Sequence, residues 1–456
     1  MSLFVKIEES ETSDNTCYMS KDISEKLSLS PGRLYKLKFG RRKTKVKLET
    51  LDTDIQSQVK LGPDLFSKLT IPEKLYTGIA VVNREIVLGP VLGVFVNPSY
   101  IQDLKNQTPR PSTLHMLKAN ESSCLFIYFF TIEGADWQGN KIEAWYYSKK
   151  PNKWLKRWLP LPDVVYDRGV GFLSKEKSAL YHYRDQFTPT GTITRVNSTD
   201  VLDKYWLHER LKKHEDIKQY LPETLRYNSI EDVTNLLGKH KVVYLKSFYG
   251  SCGTEVMTIS ARSGEVYKCT YFDSDRLKEK NIHGKHALQE EIQTFFEGIN
   301  FVVQQGIDLL QYDGSRMDMR ILIQKNGDGV WTGVYNVAIR GQKDSLITAG
   351  EEKGARFFNF TEIMPLVLNM SNDQVENLDK ELKQACIRVA KAIEQEYGPF
   401  GEIGMDMALD KNLKIWFIEA NSKPDRELES GIIGSARVRA TCLNIIDYTK
   451  YLAGFH

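Results

Sequence analysis

Three side chains with oxygen donors have a regular spacing near the carboxyl end of the chain. Residues 401–409 and 415–421 each alternate in the manner of a β-strand, and a short polar segment separates them. If the two strands form a hairpin, Asp406 lies opposite Glu419, with Cβ atoms about 5 Å apart. Asn421 is two residues beyond Glu419 and shares its face of the strand. The spacing therefore predicts three oxygen donors on one patch.

The register of that hairpin depends on its loop. A loop of four residues, Lys411–Lys414, pairs Asp410 with Ile415. Two carboxylates placed opposite each other repel unless a cation lies between them. Magnesium accepts one or two carboxylates and completes its coordination with water and phosphate oxygens, so the pattern predicts a Mg²⁺ site. The alternative is that Asp406 faces solvent and Glu419 only ends a strand.

An earlier strand ends in a lysine that is followed by a loop of glycine and hydroxyl residues. The lysine is Lys246, and the loop contains Gly250, Ser251 and Gly253. Backbone N–H groups of such a loop can surround an anion while the lysine neutralises a phosphate. The segment is not a P-loop, because the order of residues differs and a strand follows it instead of a helix. An ordinary β-hairpin is the alternative interpretation.

Two further strand-like segments lie between these regions. Residues 301–308 begin apolar and become polar, and residues 316–323 place Asp318 and Arg320 on one face. The planar guanidinium of Arg320 suits bidentate contact with phosphoryl oxygens better than a lysine does. The alternative is an ion pair between Asp318 and Arg320.

The elements expected to hold these residues are helices and strands in alternation. Three amphipathic helices are predicted over residues 203–220, over residues 230–237 with Ser229 as N-cap, and over residues 373–397. From residue 79 to residue 195, apolar strands alternate with helix-like segments. That alternation predicts an α/β domain with a mostly parallel sheet.

The first eighty residues contain an internal repeat. The segment that begins at Ser24 is echoed by the one that begins at Phe66, each with a helix-like turn, a Pro-containing turn and an alternating strand. Two such copies predict a small β-barrel. Its basic residues either face nucleic acid or an acidic substrate, or form a solvated strand surface with charged edges. They are Lys36, Lys38, Arg41, Arg42, Lys43, Lys45 and Lys47.

Composition limits the class of protein. The 456 residues exceed one ordinary domain, and 41% hydrophobic residues are enough for packed cores. A net charge of +3 does not create the field that binding to nucleic acid or membranes usually exploits. The six cysteines include no C-x-x-C pair, and no apolar run reaches the roughly 18 residues of a membrane span. We expect a cytoplasmic protein with neither a membrane nor a nucleic acid as partner.

In order and spacing these motifs resemble the ATP-grasp superfamily, and nearly the whole chain resembles its YheC/YheD endospore coat-associated group. The resemblance rests on Asp203-Lys204, Leu221-Pro-Glu-Thr, Lys246 with its loop, Asp318-x-Arg320, Asp406 with Glu419-x-Asn421, Leu88-Gly-Pro and the segment Pro162–Arg168. It implies an α/β and α+β multidomain fold. The domains are a small β-barrel over residues 1–78, an α/β pre-ATP-grasp domain over 79–195 and an ATP-grasp domain of two subdomains over 196–456.

The resemblance also implies ligands and a reaction. ATP and Mg²⁺ are the implied cofactors, with ATP between the two subdomains. The substrate carboxylate is phosphorylated by ATP, and an amine of an amino acid, peptide or protein then attacks the acylphosphate. Arg320 and Lys246 are the implied catalytic residues. The implied nucleotide contacts are Lys204, Lys246, Gly250, Ser251, Gly253, Gln304, Gln305 and Ile307, and the implied metal ligands are Asp406, Glu419 and Asn421.

Two features depart from the commoner ligase pattern, and two other classes of function stay open. Gly404 stands where related ligases often carry arginine, and residues 346–354 match the usual Asn and Gly-Gly signature only loosely. The other classes are an ATP-binding, spore-associated structural protein without turnover and a nucleic-acid-binding module led by the barrel. The intact acidic motif favours catalysis over the first, and the small net charge argues against the second.

Overall fold

The computed structural model of this chain describes residues 2–455 except 13, 52–54, 188–192, 251–254, 275, 344–353 and 426, and for residues 427–430 it describes the backbone alone. The chain forms two compact units. The first consists of Met1–Ser198, Lys325–Val330 and Val438–His456, and the second of Thr199–Gln324 and Trp331–Arg437. No helix in the described part of the chain is long and apolar enough to cross a membrane.

The first unit begins with a closed seven-stranded barrel, which confirms the predicted β-barrel. Its elements are β1 (Ser2–Glu9), β2 (Thr16–Ser20), α1 (Lys21–Lys26), β3 (Leu34–Phe39), β4 (Arg42–Leu51), β5 (Gln58–Leu61), α2 (Pro63–Leu69), β6 (Leu75–Val82) and β7 (Glu85–Gly89). The strands follow the order β1-β5-β2-β4-β3-β7-β6, and β6 returns to β1. The helix, turn and strand of the repeat correspond to α1 with β3 and to α2 with β6. The barrel also takes in β7, which lies beyond residue 78, and the division into three domains stays a prediction.

Most basic side chains of the barrel whose contacts are known lie beside carboxylates. Glu85 lies 3.6 Å from the Lys36 ammonium and 3.7 Å from the Lys43 ammonium, and Lys38 lies 2.8 Å from Asp163. Lys47 pairs with Glu49 on its own strand at 2.6 Å. This neutralisation favours the interpretation of a charged strand surface over that of a nucleic-acid-binding face.

A seven-stranded sheet completes the first unit. Its elements are β8 (Val91–Phe95), α3 (Pro98–Lys105), α4 (Pro111–Asn120), β9 (Phe126–Phe130), β10 (Ala135–Asp136), β11 (Lys141–Ser148), β12 (Lys153–Pro160), β13 (Val164–Asp167), α5 (Lys177–Asp185) and β14 (Thr194–Arg195). The pairs β8–β9, β8–β13 and β13–β14 are parallel, whereas β11 is antiparallel to β9, β10 and β12. The prediction of a mostly parallel sheet is therefore wrong for β10, β11 and β12. Short turns connect these strands, and strands joined by a short turn pair antiparallel.

The second unit contains two sheets with helices beside them. Its elements are α6 (Lys204–Leu211), β15 (Thr224–Arg226), α7 (Ile230–Lys239), β16 (Val242–Ser247), β17 (Val256–Arg262), β18 (Val266–Asp273), β19 (Arg276–His283), α8 (Lys285–Phe296), β20 (Phe301–Gln305), β21 (Gln311–Tyr312), β22 (Ser315–Lys325), β23 (Trp331–Arg340), β24 (Arg356–Asn359), α9 (Phe360–Leu368), α10 (Asn372–Tyr397), β25 (Glu402–Leu409), β26 (Ile415–Asn421) and α11 (Glu427–Ala453). One sheet has the order β15-β20-β16-β17-β18-β19. The other has the order β24-β23-β22-β25-β26, with β21 on β22. The helix α11 is divided between the units: its residues up to Arg437 belong to the second, and those from Val438 onward belong to the first.

Two of the three predicted helices agree closely with the structure. The helix α10 starts at Asn372, where the Ser371 hydroxyl accepts the Gln374 N–H at 3.3 Å. The helix α7 starts after Ser229 as predicted. The helix predicted to run from 203 to 220 is wrong in length, since α6 ends at Leu211. Beyond Leu211 the chain forms turns, with hydrogen bonds between residues three positions apart, such as that from His214 N–H to the Leu211 carbonyl at 3.0 Å.

Candidate functional site

The hairpin β25–β26 brings the two predicted carboxylates face to face. Asp406 pairs with Glu419, which confirms the predicted opposition. The predicted pairing of Asp410 with Ile415 is wrong, because Leu409 takes that position. A β-bulge lies between this pair and the carboxylates. It shifts the register by one residue, and this shift brings Asp406 opposite Glu419.

Cationic side chains of the protein itself lie beside both carboxylates. Arg320 on β22 is paired with Asp406 in register, and its guanidinium donates to both Asp406 oxygens, with Nη2–Oδ2 at 3.1 Å. The Lys204 ammonium, at the start of α6, lies 3.3 Å from Glu419 Oε2. The predicted repulsion is thus relieved by a guanidinium and an ammonium. Arg320 contacts Asp406 on the neighbouring strand, which was not among the sequence-based alternatives.

The two carboxyl groups have different affinities for a proton. Burial raises the pKa of Asp406 to about 7, with Arg320 opposing the shift and Glu419 adding to it. Burial also acts to raise the pKa of Glu419, but Lys204 and Lys246 outweigh it and the pKa falls to about 2. Of the two groups, Glu419 therefore has the lower pKa and is the one that holds a negative charge more firmly. A divalent cation would favour the ionised form of both.

The two predicted lysines approach this pair from different elements. Lys246 lies on β16, and its ammonium donates to the Gln304 amide oxygen at 2.8 Å. Burial lowers the pKa of Lys246 to about 8. Lys204 donates through its side chain to the Gly250 carbonyl and through its backbone to the Phe248 carbonyl at 3.1 Å. Lys204 therefore connects the loop after β16 with the carboxylate pair. The predicted contacts Ser251 and Gly253 lie outside the described residues.

A cleft opens beside Lys246. It is lined by Tyr244, Lys246, Gln304, Gln305, Ile307, Leu309, Asp318 and Ile418. Ile307 and Leu309 pack with Trp416 into one apolar cluster. The amide oxygen of Gln305 accepts the Glu223 N–H at 3.1 Å. The cleft thus has an apolar wall next to a cation, which suits a ligand with a flat apolar part and an anionic part.

Sequence reasoning missed several residues of this cleft. Tyr244 is two residues before Lys246 on the same strand, so strand alternation alone could have placed it on the same face. Leu309 and Ile418 had no such signal. Ile418 lies beside the bulge, where alternation no longer predicts the face.

A second, small cavity is bordered by Glu419. It is lined by Leu202, Lys204, Leu207, His208, Phe417, Ile418, Glu419, Ala420 and Asn421. Two of the three predicted metal ligands, Glu419 and Asn421, share this cavity. Among the described residues, no group of three or more His, Cys, Asp or Glu side chains is arranged to hold a metal ion. Two carboxylates and one amide fit magnesium, which takes its remaining ligands from water and phosphates.

The glycine that departs from the ligase pattern has a packing reason. A Cβ atom added at Gly404 would lie 2.8 Å from the Pro424 Cβ, closer than side-chain carbons normally approach. Pro424 therefore occupies the space that a side chain at position 404 would need. The other departure, over residues 346–354, lies almost wholly outside the described residues.

The amino-acid sequence of this chain is similar to one protein family and to two relatives from one organism. A family model described as YheC/D like ATP-grasp matches residues 192–452. The chain is 26% identical over 426 residues to the endospore coat-associated protein YheD of Bacillus subtilis (strain 168), which covers 92% of this chain and 90% of that protein. It is 24% identical over 292 residues to the endospore coat-associated protein YheC of the same organism, which covers 63% and 77%.

Solved structures also resemble this chain. The ATP-grasp ligase PsnB, complexed with minimal precursor, Mg and ADP, has a TM-score of 0.43 and 14% identity over 80% of this chain and 98% of that chain. The D-cycloserine synthetase DcsG has a TM-score of 0.47 and 11% identity over 79% and 100% of the two chains.

Proposed function

Because the chain belongs to the YheC/D-like ATP-grasp family, we propose that it is an ATP-dependent carboxylate–amine ligase whose site is built by its second compact unit. The observation that supports this most is the pair Asp406 and Glu419, opposed in register and close to the positive charges of Arg320, Lys204 and the half-buried Lys246. Such a set of charges suits a magnesium–polyphosphate ligand better than it suits a stable apolar sheet.

In this proposal the nucleotide occupies the cleft beside Lys246. Lys246 and Lys204 contact its phosphates, and Gly250 lies in the loop that covers them. The adenine lies against the apolar wall at Ile307, near Gln304 and Gln305. Ser251 and Gly253 stay predicted contacts of the same loop.

Asp406, Glu419 and Asn421 are the proposed magnesium ligands. When bound, the metal supplies charge neutralisation for the phosphates. Arg320 and Lys204, which lie beside these carboxylates, would contact phosphoryl oxygens of the nucleotide. These contacts are electrostatic, and phosphoryl transfer needs no covalent nucleophile from the protein.

The proposed reaction has two steps. A substrate carboxylate oxygen attacks the γ-phosphorus of ATP, the bond to the β-phosphate oxygen breaks, and ADP leaves. The amine of a second substrate then attacks the carbonyl carbon of the acylphosphate, phosphate leaves, and one proton is released. The substrates in this proposal are an amino acid, a peptide or a protein. The proposed place of action is the cytoplasm and also the spore, because the curated relatives are named as endospore coat-associated proteins.

One observation favours a second candidate function, an ATP-binding structural protein of the spore without turnover. Arg320 and Lys204 already neutralise the acid pair, so this fold does not need a metal ion for its own stability. Release of ADP with Mg²⁺ across a panel of amino acids and peptides separates the two candidates. Substrate-dependent ADP release that is lost in Glu419→Gln supports ligation. Tight ATP binding without ADP release for any substrate supports the structural protein.

A further inference from the structure

A chain of buried hydrogen bonds runs from a backbone carbonyl to the Lys246 ammonium. The Thr224 hydroxyl donates to Pro222 O at 3.0 Å, and the Gln304 amide nitrogen lies 3.0 Å from the same hydroxyl. That amide nitrogen also lies 3.4 Å from His208 Nε2, and the Gln304 amide oxygen accepts from Lys246 at 2.8 Å. Thr224, His208 and Gln304 are 1%, 2% and 4% exposed, so water does not compete for these contacts.

The direction of every bond in this chain is set by its two ends. A carbonyl can only accept, so the Thr224 hydroxyl donates its one hydrogen to the Pro222 carbonyl. It must then accept from the Gln304 amide nitrogen. An ammonium can only donate, so the oxygen of the Gln304 amide must face Lys246. The amide nitrogen of Gln304 then donates its second hydrogen to His208 Nε2, which must be an unprotonated acceptor.

His208 is suited to be that acceptor. Burial lowers the pKa of His208 to about 3, and the positive charges of Lys212 and Lys246 add to the shift. A doubly protonated ring would set two donors against each other at the Gln304 contact. The imidazole is therefore neutral, with its hydrogen on Nδ1, and in the described part of the chain that Nδ1 has no hydrogen-bond partner.

We propose that His208 is a positioning residue: by accepting from Gln304, its neutral imidazole holds the Gln304 amide oxygen towards Lys246 and so aims the Lys246 ammonium into the nucleotide cleft. The inference deepens the proposed function and rests on it, because Lys246 matters only if an anionic ligand occupies the cleft. It gives Gln304 a different role from the adenine contact expected from sequence, since both ends of its amide are already engaged.

Three substitutions at position 208 separate this role from simple packing. In His208→Gln the amide oxygen can replace Nε2 as the acceptor. In His208→Asn the shorter amide reaches only the position of Nδ1, and His208→Phe keeps a ring without any acceptor. Without the acceptor the Gln304 amide can turn, and its nitrogen then meets the Lys246 ammonium. We expect His208→Asn and His208→Phe to weaken ADP binding roughly tenfold or more, and His208→Gln to restore most of the affinity.

A second pair of substitutions covers the case in which a variant at the buried position 208 does not fold. Thr224→Val removes the other acceptor of the Gln304 amide at constant shape, and Thr224→Ser keeps the hydroxyl. We expect Thr224→Val to weaken ADP binding in the same direction as His208→Phe, and Thr224→Ser to leave it near that of the parent.

The test combines calorimetry with ADP and an NMR titration of ¹³C-labelled lysines, in which Lys246→Met identifies the Lys246 signal. We expect His208→Phe to lower the Lys246 pKa in nucleotide-free protein, and His208→Gln to leave it unchanged. If the parent binds no ADP while the Lys246 signal shifts as predicted, the proposed function fails and the positioning role stands. If ADP binds but His208→Phe and His208→Asn match the parent in both measurements, or His208→Gln is as impaired as His208→Phe, the inference is overturned.

Discussion

Lys204 contacts Glu419 across 215 residues of sequence, with its ammonium 3.3 Å from the carboxylate, and the same ammonium donates to the Gly250 carbonyl. One side chain thus joins the helix α6, the loop after β16 and the strand β26. The contact is mostly buried, with 15% of the lysine side chain and 25% of the glutamate side chain exposed. Removal of one partner from such a pair leaves a partly buried charge without its counter-ion, which costs more than the loss of an exposed pair.

The first prediction concerns this lysine. Lys204→Met should weaken ATP binding by about 1.5 to 3 kcal/mol, the range for a lost hydrogen bond to a charged group. It should also lower the melting temperature without nucleotide, because Glu419 loses its cation. Lys204→Arg is the matched control and should retain more of both properties. Calorimetry and thermal unfolding measure the two effects. Equal ATP affinity in Lys204→Met and the parent would remove Lys204 from the proposed site.

The second prediction concerns pH and Lys246. Its folded-state pKa is about 8 against an ordinary value of 10.5, so between these values the unfolded chain binds more protons than the folded one. The contribution of Lys246 to the free energy of unfolding should therefore increase as pH rises from about 8 to 10.5. Below pH 8, burial of the charged amine lowers the stability of the folded protein. The charged groups around it are Glu419, Lys204, Asp318 and Asp406.

Nucleotide binding should show the opposite trend. A phosphate favours the charged amine, which is already present below pH 8, so ATP affinity should fall above pH 8 by up to about tenfold per pH unit. Lys246→Met should lack this alkaline limb, bind ATP more weakly at pH 7 and unfold at a higher temperature there. Calorimetry from pH 7 to pH 10 checks the trend. The same alkaline limb in Lys246→Met would assign it to another group.

The third prediction tests the packing around Gly404. Gly404→Ala should destabilise the protein by roughly 1 to 3 kcal/mol, the usual cost of overpacking, because the new Cβ meets Pro424. Gly238→Ala is the control: Gly238 lies within α7, and among the described residues an added Cβ meets nothing within 4 Å beyond its chain neighbours and the backbone of its own helix. That substitution should stabilise by about 0.5 to 1 kcal/mol. Urea unfolding of both variants measures the difference, and equal stability for Gly404→Ala and the parent would show that Pro424 can move away.

Local patterns were enough to predict part of this site. Strand alternation placed Asp406 opposite Glu419 and put Asn421 beside it, because all three lie on one short hairpin. The same argument missed the bulge, since alternation within a strand does not show an extra residue on its partner. The two opposed carboxylates were therefore predicted correctly from a loop pairing that is wrong.

Contacts between distant segments were beyond sequence reasoning. Arg320 lies beside Asp406 because β22 pairs with β25, and no pattern within either strand sets that register. The same holds for Gln304, whose strand β20 lies between β15 and β16. Its neighbour Thr224 ends the motif Leu221-Pro-Glu-Thr, and its neighbour His208 lies on α6. Neither segment shows which strand it will meet, so the hydrogen bonds that orient Lys246 could not be predicted.

If Glu419 holds magnesium for the nucleotide, the gain in ATP affinity on adding Mg²⁺ depends on its carboxylate. Calorimetry should compare ATP binding in Mg²⁺ and in EDTA for the parent, Glu419→Gln and Glu362→Gln, a control in the first turn of α9. Mg²⁺ should strengthen binding in the parent and in Glu362→Gln, and Glu419→Gln should lose most of this gain, at least about tenfold. If Glu419→Gln keeps the whole gain, the metal is held elsewhere and the proposed site is wrong.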